Sequence, residues 1–267
     1  MINGVPRYSC YEFDDRTSDY CVLIPIINEK GRIEKELERA VNAGVHAFAD
    51  IVICDGGSTD GCTVHDDLKK LKVNTLLVKE DTGKQGAQLR MGFNWAIERG
   101  YKGFITIDGN NKDSIEDVTL FIEKLREGYD FIQGSRFIKG GKAINTPLSR
   151  TLAVRLIHAP VISLTAHKKY TDTTNAYRGY SRNYITDKRV DIFRDVFSTY
   201  ELLAYLSVRA DQLKMKTCEI PVTRAYPDEG ETPTKIKGFK GNWLLIKILM
   251  KNAFGKYRPK KVNDETI

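Results

Sequence analysis

VLIPIINE, residues 22–29, is an apolar, β-branched run that passes straight into a polar turn. Too short for a core helix and closed off by Pro25 and Asn28, it reads as a strand buried on both faces. Behind it, RIEKELERAVNAG at 32–44 places Ile33, Leu37, Ala40 and Val41 on one helical face, with Gly44 suited to the stop. The alternation recurs, with strands at 50–54 (DIVIC), 74–78 (NTLLV), 103–108 (GFITID) and 129–134 (YDFIQG), and helices at 86–100 and about 114–127. Strand and helix in turn predict an α/β fold with a mostly parallel, doubly wound sheet flanked by helices. After residue 142 the rhythm changes to a long helical stretch (149–166), a polar segment (TDTTNAYRGYS), a helix at 200–209 and a strand at 218–222.

The composition fits one large domain or one and a half small ones, since 267 residues with 41% apolar content can bury a full core. Glu12, Asp14, Asp15 and Asp19 occupy the place of a basic start and an apolar core, so no leader peptide is expected. The apolar stretch 156–166 is too short to cross a bilayer and carries His158. Five cysteines without a CxxC pair suit reduced thiols in a cytoplasmic setting, and four scattered histidines argue against zinc. Nine of the 42 Lys and Arg lie in 235–261, which has no Asp or Glu; without them 33 basic residues face 35 acidic ones. The net charge of +7 therefore belongs to the tail. It suggests contact with an anionic membrane surface at the inner face, and no specific nucleic-acid partner. The chain divides into an N-terminal extension (1–20), a main domain (21–234) and a basic amphipathic segment (235–267).

In doubly wound sheets ligands bind beyond the carboxyl ends of the strands. Here those ends carry Pro25, Asn28 and Glu29, then Asp55, Gly57 and Ser58 in DGGSTDG (55–61), Lys84 and Gly86 in GKQGA, and Asp108, Gly109 and Asn110. Each has an ordinary reading as a Gly-rich turn or a helix cap. Their joint order and spacing resemble the family-2 glycosyltransferases of GT-A fold, through PIINE at 25–29 and DGGSTDG, which carries an extra glycine before Ser58. That resemblance implies an enzyme that uses a nucleoside-diphosphate sugar. Pro25, Asn28, Glu29, Asp55, Gly57, Ser58, Lys84, Gly86, Asp108 and Gly109 would line the nucleotide site, and the part after 142 would be the acceptor half.

GSRFIKGG (134–141), TDTTNAYRGYSR (171–182) and EIPVTR (219–224) narrow the resemblance to dolichyl- and polyprenyl-phosphate sugar synthases. It implies phosphate or acceptor binding by Arg136, Arg224 and Lys235, for which a planar guanidinium fork is well suited. Asp108 and Asn110 take the place of the DxD motif that holds Mg²⁺ or Mn²⁺ against the diphosphate, but the second acid is an amide. Lys112 is either a solvated residue before the next helix or an ammonium that partly replaces the cation. Inversion at the anomeric carbon would follow, with Glu201 as the base for a glycan hydroxyl and Asp172 as second choice. Glu201 reads equally as a helix N-terminal acid. A lipid-phosphate acceptor needs no base. The C-terminal helix, with Lys247 and Lys251 on one stripe, either lies on a membrane or packs on the domain. Rival readings are a nucleotidyltransferase, which would need a Gly-rich phosphate loop after the first strand, and a silent nucleotide-sugar binder. A dinucleotide oxidoreductase lacks its GxGxxG.

Overall fold

Cys21 and Leu23 feed one hydrophobic core, and Val22, Ile24 and Ile26 feed another. The two-residue period of an extended chain sends alternate side chains to opposite faces, so a strand apolar at every position must be covered twice. In this computed structural model, which describes residues 4–227 and 238–259, both covers are present.

The elements run β1 (Tyr8–Glu12), β2 (Tyr20–Ile26), α1 (Ile33–Asn42), β3 (Asp50–Asp55), α2 (His65–Lys70), β4 (Val73–Lys79) and α3 (Gln85–Glu98). They continue with β5 (Gly103–Thr106), α4 (Val118–Arg126), β6 (Phe131–Ser135), β7 (Lys142–Ile144), α5 (Leu148–Ala153) and α6 (Ala159–Ala166). Last come β8 (Arg178–Ser181), α7 (Arg182–Thr186), α8 (Glu201–Gln212), β9 (Thr217–Pro221), β10 (Thr223–Ala225) and α9 (Gly238–Ala253). One core packs α3, α6, α8 and α9 on the sheet; the other packs α1, α2 and α4.

The main sheet has the order β1-β4-β3-β2-β5-β8-β6-β9. β4, β3, β2 and β5 are mutually parallel, and β9 is parallel to β6. β8 runs antiparallel between β5 and β6, so β5 and β6 still point the same way. The carboxyl ends of β2, β3, β5, β6 and β9 therefore share one edge. β10 and β7 form a separate parallel pair beside it.

The expected parallel strands and helices are all present, and the differences have physical causes. The polar segment TDTTNAYRGYS hides β8, because its Arg178 is fully buried with its charge satisfied by backbone. Its guanidinium donates to the carbonyls of Leu203 (2.6 Å), Asn175 (2.9 Å) and Thr173 (3.0 Å). Within 1–20, Tyr8–Glu12 adds an antiparallel edge strand against β4. The stretch 149–166 is one helix in three parts, with a π turn at Val154–His158 between α5 and α6. Pro160 lacks the N–H of a regular ladder and crowds the preceding turn, which a widened turn accommodates.

Gly109 follows β5 where the chain presses on β2. A Cβ there would lie 2.4 Å from Ile26 Cγ2 and 3.0 Å from Ile24 Cγ2. We expect Gly109→Ala to lower unfolding stability by about 1–3 kcal/mol through overpacking, measured by urea denaturation; an unchanged midpoint would show that the turn can shift at no cost.

Candidate active site

The turn after β3 is built by its own acid. Asp55 accepts from the backbone N–H of Gly57 (2.9 Å) and Ser58 (2.9 Å) and from the Ser58 hydroxyl (2.5 Å). The turn after β2 is stitched to it: Asn28 N–H donates to Ser58 Oγ (2.9 Å), and Asn28 Oδ1 accepts from Thr59 N–H (2.8 Å). Asn28 has a left-handed backbone, which asparagine tolerates. Glu29 is buried and pairs with Arg32 at 2.5 Å. Gln88 of α3 donates to the carbonyls of Ile26 (2.6 Å) and Cys54 (2.7 Å), tying both strand ends to one helix.

The loop before α3 is docked on the segment before α8. Lys84 N–H donates to Ser198 O at 2.8 Å and Gly86 N–H to Thr199 O at 2.6 Å. A Cβ on Gly86 would lie 2.5 Å from Phe197 O, so only glycine fits this approach. Gln85 then reaches Asp108, donating to Oδ1 at 2.9 Å. Glu201 turns back on Thr199, accepting from its N–H (2.6 Å) and its hydroxyl (2.8 Å). Both carboxylate oxygens are thus engaged in closing the start of α8.

At the end of β5, Asp108 is half-buried and meets Arg224 of β10 at 3.2 Å, while Asn110 Nδ2 points at its Oδ2 from 3.4 Å. The other Arg224 nitrogen donates to Asp113, which is fully buried. Burial opposes ionisation of Asp108, yet Arg224 and Lys112 outweigh it and hold that carboxyl below the usual range. Asp113 goes the other way: burial raises it despite Arg224. Glu36 of α1 lies behind this group, with Oε2 accepting from Asn111 N–H at 2.7 Å. Burial pushes Glu36 well above the ordinary glutamate value.

Lys112 is 4% exposed, and burial first, then repulsion from Arg224, lowers its ammonium to about 8. Its ammonium sits 5.0 Å from the centre of the Tyr226 ring. Arg150 of α5 approaches the same ring at 5.6 Å and donates to the Tyr226 hydroxyl at 2.6 Å. The sequence offered no spacing that would draw Arg150 and Tyr226 together, whereas Asp113 stood in plain view at the end of DGNNKD.

Arg136 and Asp172 find each other. The Asp172 carboxylate accepts from Arg136 Nε (2.6 Å), Nη2 (2.9 Å) and N–H (3.2 Å), with the two side chains 2% and 0% exposed. Glu219 of β9 holds the loop in place, accepting from Thr171 N–H (2.9 Å), Thr171 hydroxyl (3.0 Å) and Asp172 N–H (3.2 Å). Residues expected to serve phosphate and proton transfer separately thus form one buried pair. Lys235 lies outside the described residues.

The residues at the motif position do not make a good divalent-cation cage. Asp108 supplies one carboxylate, already engaged by Gln85 and Arg224, and Asn110 supplies a neutral carbonyl oxygen that is buried without a partner among the described residues. No group of three His, Cys, Asp or Glu suited to a metal occurs among the described residues. Two monocations adjoin the spot. At an effective permittivity near 20, unit charges 4 Å apart interact by about 4 kcal/mol, and a dication doubles that repulsion.

A mostly parallel central sheet flanked by helices, with acidic turns at the carboxyl ends of its strands, fits the GT-A fold of glycosyltransferases. The chain belongs to the Glycosyl transferase family 2, whose model matches residues 21–197, and it is a glycosyltransferase. It is similar to the undecaprenyl-phosphate mannosyltransferase of Micrococcus luteus, with 27% identity over 215 residues, 79% of this chain and 85% of that protein. The polyprenol monophosphomannose synthase of Mycolicibacterium smegmatis is 26% identical over 208 residues, 76% of each chain. Among solved structures, glucosyl-3-phosphoglycerate synthase from Mycobacterium tuberculosis, in complex with Mn²⁺, UDP and phosphoglyceric acid, superposes with a TM-score of 0.59. It is 14% identical and aligns over 91% of this chain and 80% of its own. At that identity the likeness concerns the fold.

Replacing one partner of the Arg136–Asp172 pair strands a buried charge. Asp172→Ala should cost about 3–5 kcal/mol of stability in chemical denaturation. A loss below 1 kcal/mol would mean that Arg136 finds water or another acceptor.

Proposed function

We propose that this glycosyltransferase moves a sugar, with inversion, from a nucleoside diphosphate to a polyprenyl-phosphate acceptor at a membrane surface. The observation that carries this reading is the gathering of Lys112, Arg150 and Arg224 about Tyr226, at the edge where the strands end. Three cations gathered at one edge suit phosphate oxygens, and arginine can bond two at once. The similarity to two polyprenyl-phosphate mannosyltransferases points the same way.

The donor base and ribose would rest on the stitched turns after β2 and β3, where Ile27 and Asn28 face outward beside the Asp55 turn. A phosphate oxygen of the acceptor attacks the anomeric carbon. The bond from that carbon to the diphosphate oxygen breaks, and the nucleoside diphosphate leaves with the electron pair. A phosphate acceptor is already anionic, so no proton need be removed. This agrees with a Glu201 carboxylate whose oxygens are both occupied by Thr199. Fixed cations beside the reacting phosphates stabilise the charge that develops without reorganising.

The membrane part rests on a comb of exposed side chains. Leu148, Leu152, Leu156, Ile157 and Leu164 project from the α5–α6 helix at 45–76% exposure. Trp243 and Phe254 of the α9 region are exposed at 60% and 73%, with Lys247 and Lys251 also outward. α9 meanwhile buries Ile248 and Leu249 on the domain, so it packs and still presents an apolar, basic outer side. No helix among the described residues is long and apolar enough to cross a membrane. Arg150 shares the α5–α6 helix with the comb, which would bring a lipid headgroup to the cationic cluster.

Purified protein should gain thermal stability with one of UDP, GDP or CDP and transfer radiolabelled sugar from the matching donor to undecaprenyl phosphate. Transfer to a free glycan but not to the lipid phosphate would overturn the acceptor assignment. Leu156→Glu with Leu164→Glu should reduce sedimentation with anionic vesicles at least fivefold while leaving nucleotide-induced stabilisation intact. Equal sedimentation would remove the comb from membrane contact.

A further inference from the structure

We propose that Lys112 and Arg224 meet the charge of the donor diphosphate in this chain, in the place where a divalent cation would otherwise act. The inference rests on the nucleoside-diphosphate donor proposed above and adds the means by which its leaving group is neutralised.

Three observations converge. First, the strand-end acid is occupied: Asp108 accepts from Gln85 at 2.9 Å and pairs with Arg224 at 3.2 Å. A metal would have to displace the guanidinium or share the carboxylate with it. Second, Asn110 turns its amide N–H group toward Asp108 at 3.4 Å. A donor thus faces the carboxylate from the position where a second carboxylate would be needed to grip a dication. Third, Lys112 is buried although it carries a cation, and its ammonium is placed over Tyr226 at 5.0 Å. Its backbone is pinned as well, because the Lys112 carbonyl accepts from Ala225 N–H at 2.8 Å. The strand pair that carries Arg224 therefore also fixes Lys112.

Among the described residues, Lys112, Arg150 and Arg224 gather beside Asp108 and Asp113. A diphosphate reaching Lys112 and Arg224 would be stabilised by the two cations as the anomeric bond breaks. The balance of the reaction is unchanged: the diphosphate leaves with the electron pair, and no proton or co-reactant is added.

The test is calorimetric binding of UDP and GDP to the whole protein, in EDTA and in Mn²⁺. Three proteins are compared: the natural chain, Lys112→Met, and Asn110→Asp combined with Lys112→Gln. For the natural chain we expect the Kd of the preferred nucleotide to agree within threefold between the two conditions. Lys112→Met should weaken binding in EDTA at least tenfold, with folding checked by circular dichroism. The double variant should bind at least tenfold tighter in Mn²⁺ than in EDTA. The proposal is overturned if the natural chain itself binds tenfold tighter in Mn²⁺, or if folded Lys112→Met binds as well as the natural chain. Failure of every nucleotide in every arm would instead remove the donor reading, and this inference with it.

Discussion

The guanidinium of Arg224, held between Asp113 and Asp108, is the contact on which the site edge depends. It fastens β10 to the turn after β5, two stretches more than a hundred residues apart in sequence. Ser114 N–H donating to Thr223 O and Ala225 N–H donating to Lys112 O repeat the fastening through the backbone. Burying Arg224 and Asp113 is tolerable only because they are paired at close range. The arrangement makes the half of the chain that begins with strands answer to the half that ends with them.

A second clamp repeats the logic one strand away. Glu219 on β9 holds the 171–172 loop, and Asp172 on that loop holds Arg136 at the end of β6. Each group is set by the next, so the side chains nearest the edge have little freedom left to lose. Rigid placement of charge is what electrostatic catalysis requires, because dipoles that need no reorganisation do their work at once.

The parallel half of the sheet was legible in the sequence because both-face burial leaves short β-branched runs such as DIVICD and VNTLLVK between amphipathic helices. β8 was not legible. A central strand with a buried arginine and a glycine has the composition of a loop, and its charge is satisfied by carbonyls that only the folded chain brings near. At the site, Asp55 and Asp108 stood out through their place at strand ends. Arg136 and Asp172 were also singled out, but as independent actors. A sequence gives each residue's capacity to form an ion pair and withholds the partner. Arg150 and Tyr226 were missed for the same reason, since their meeting depends on how α5 and β10 lie together.

Gly109 carries a consequence for how such a site can change over time. Its lack of a side chain is demanded by Ile24, Ile26 and Ile33, which belong to the core and not to the chemistry. Asn111, two residues on, is held in a left-handed backbone, which likewise restricts what can stand there. Positions 110 and 112, interleaved with these two, carry the polar groups that face Asp108 and Tyr226. Fold and charge chemistry are thus written on alternate residues of a single turn.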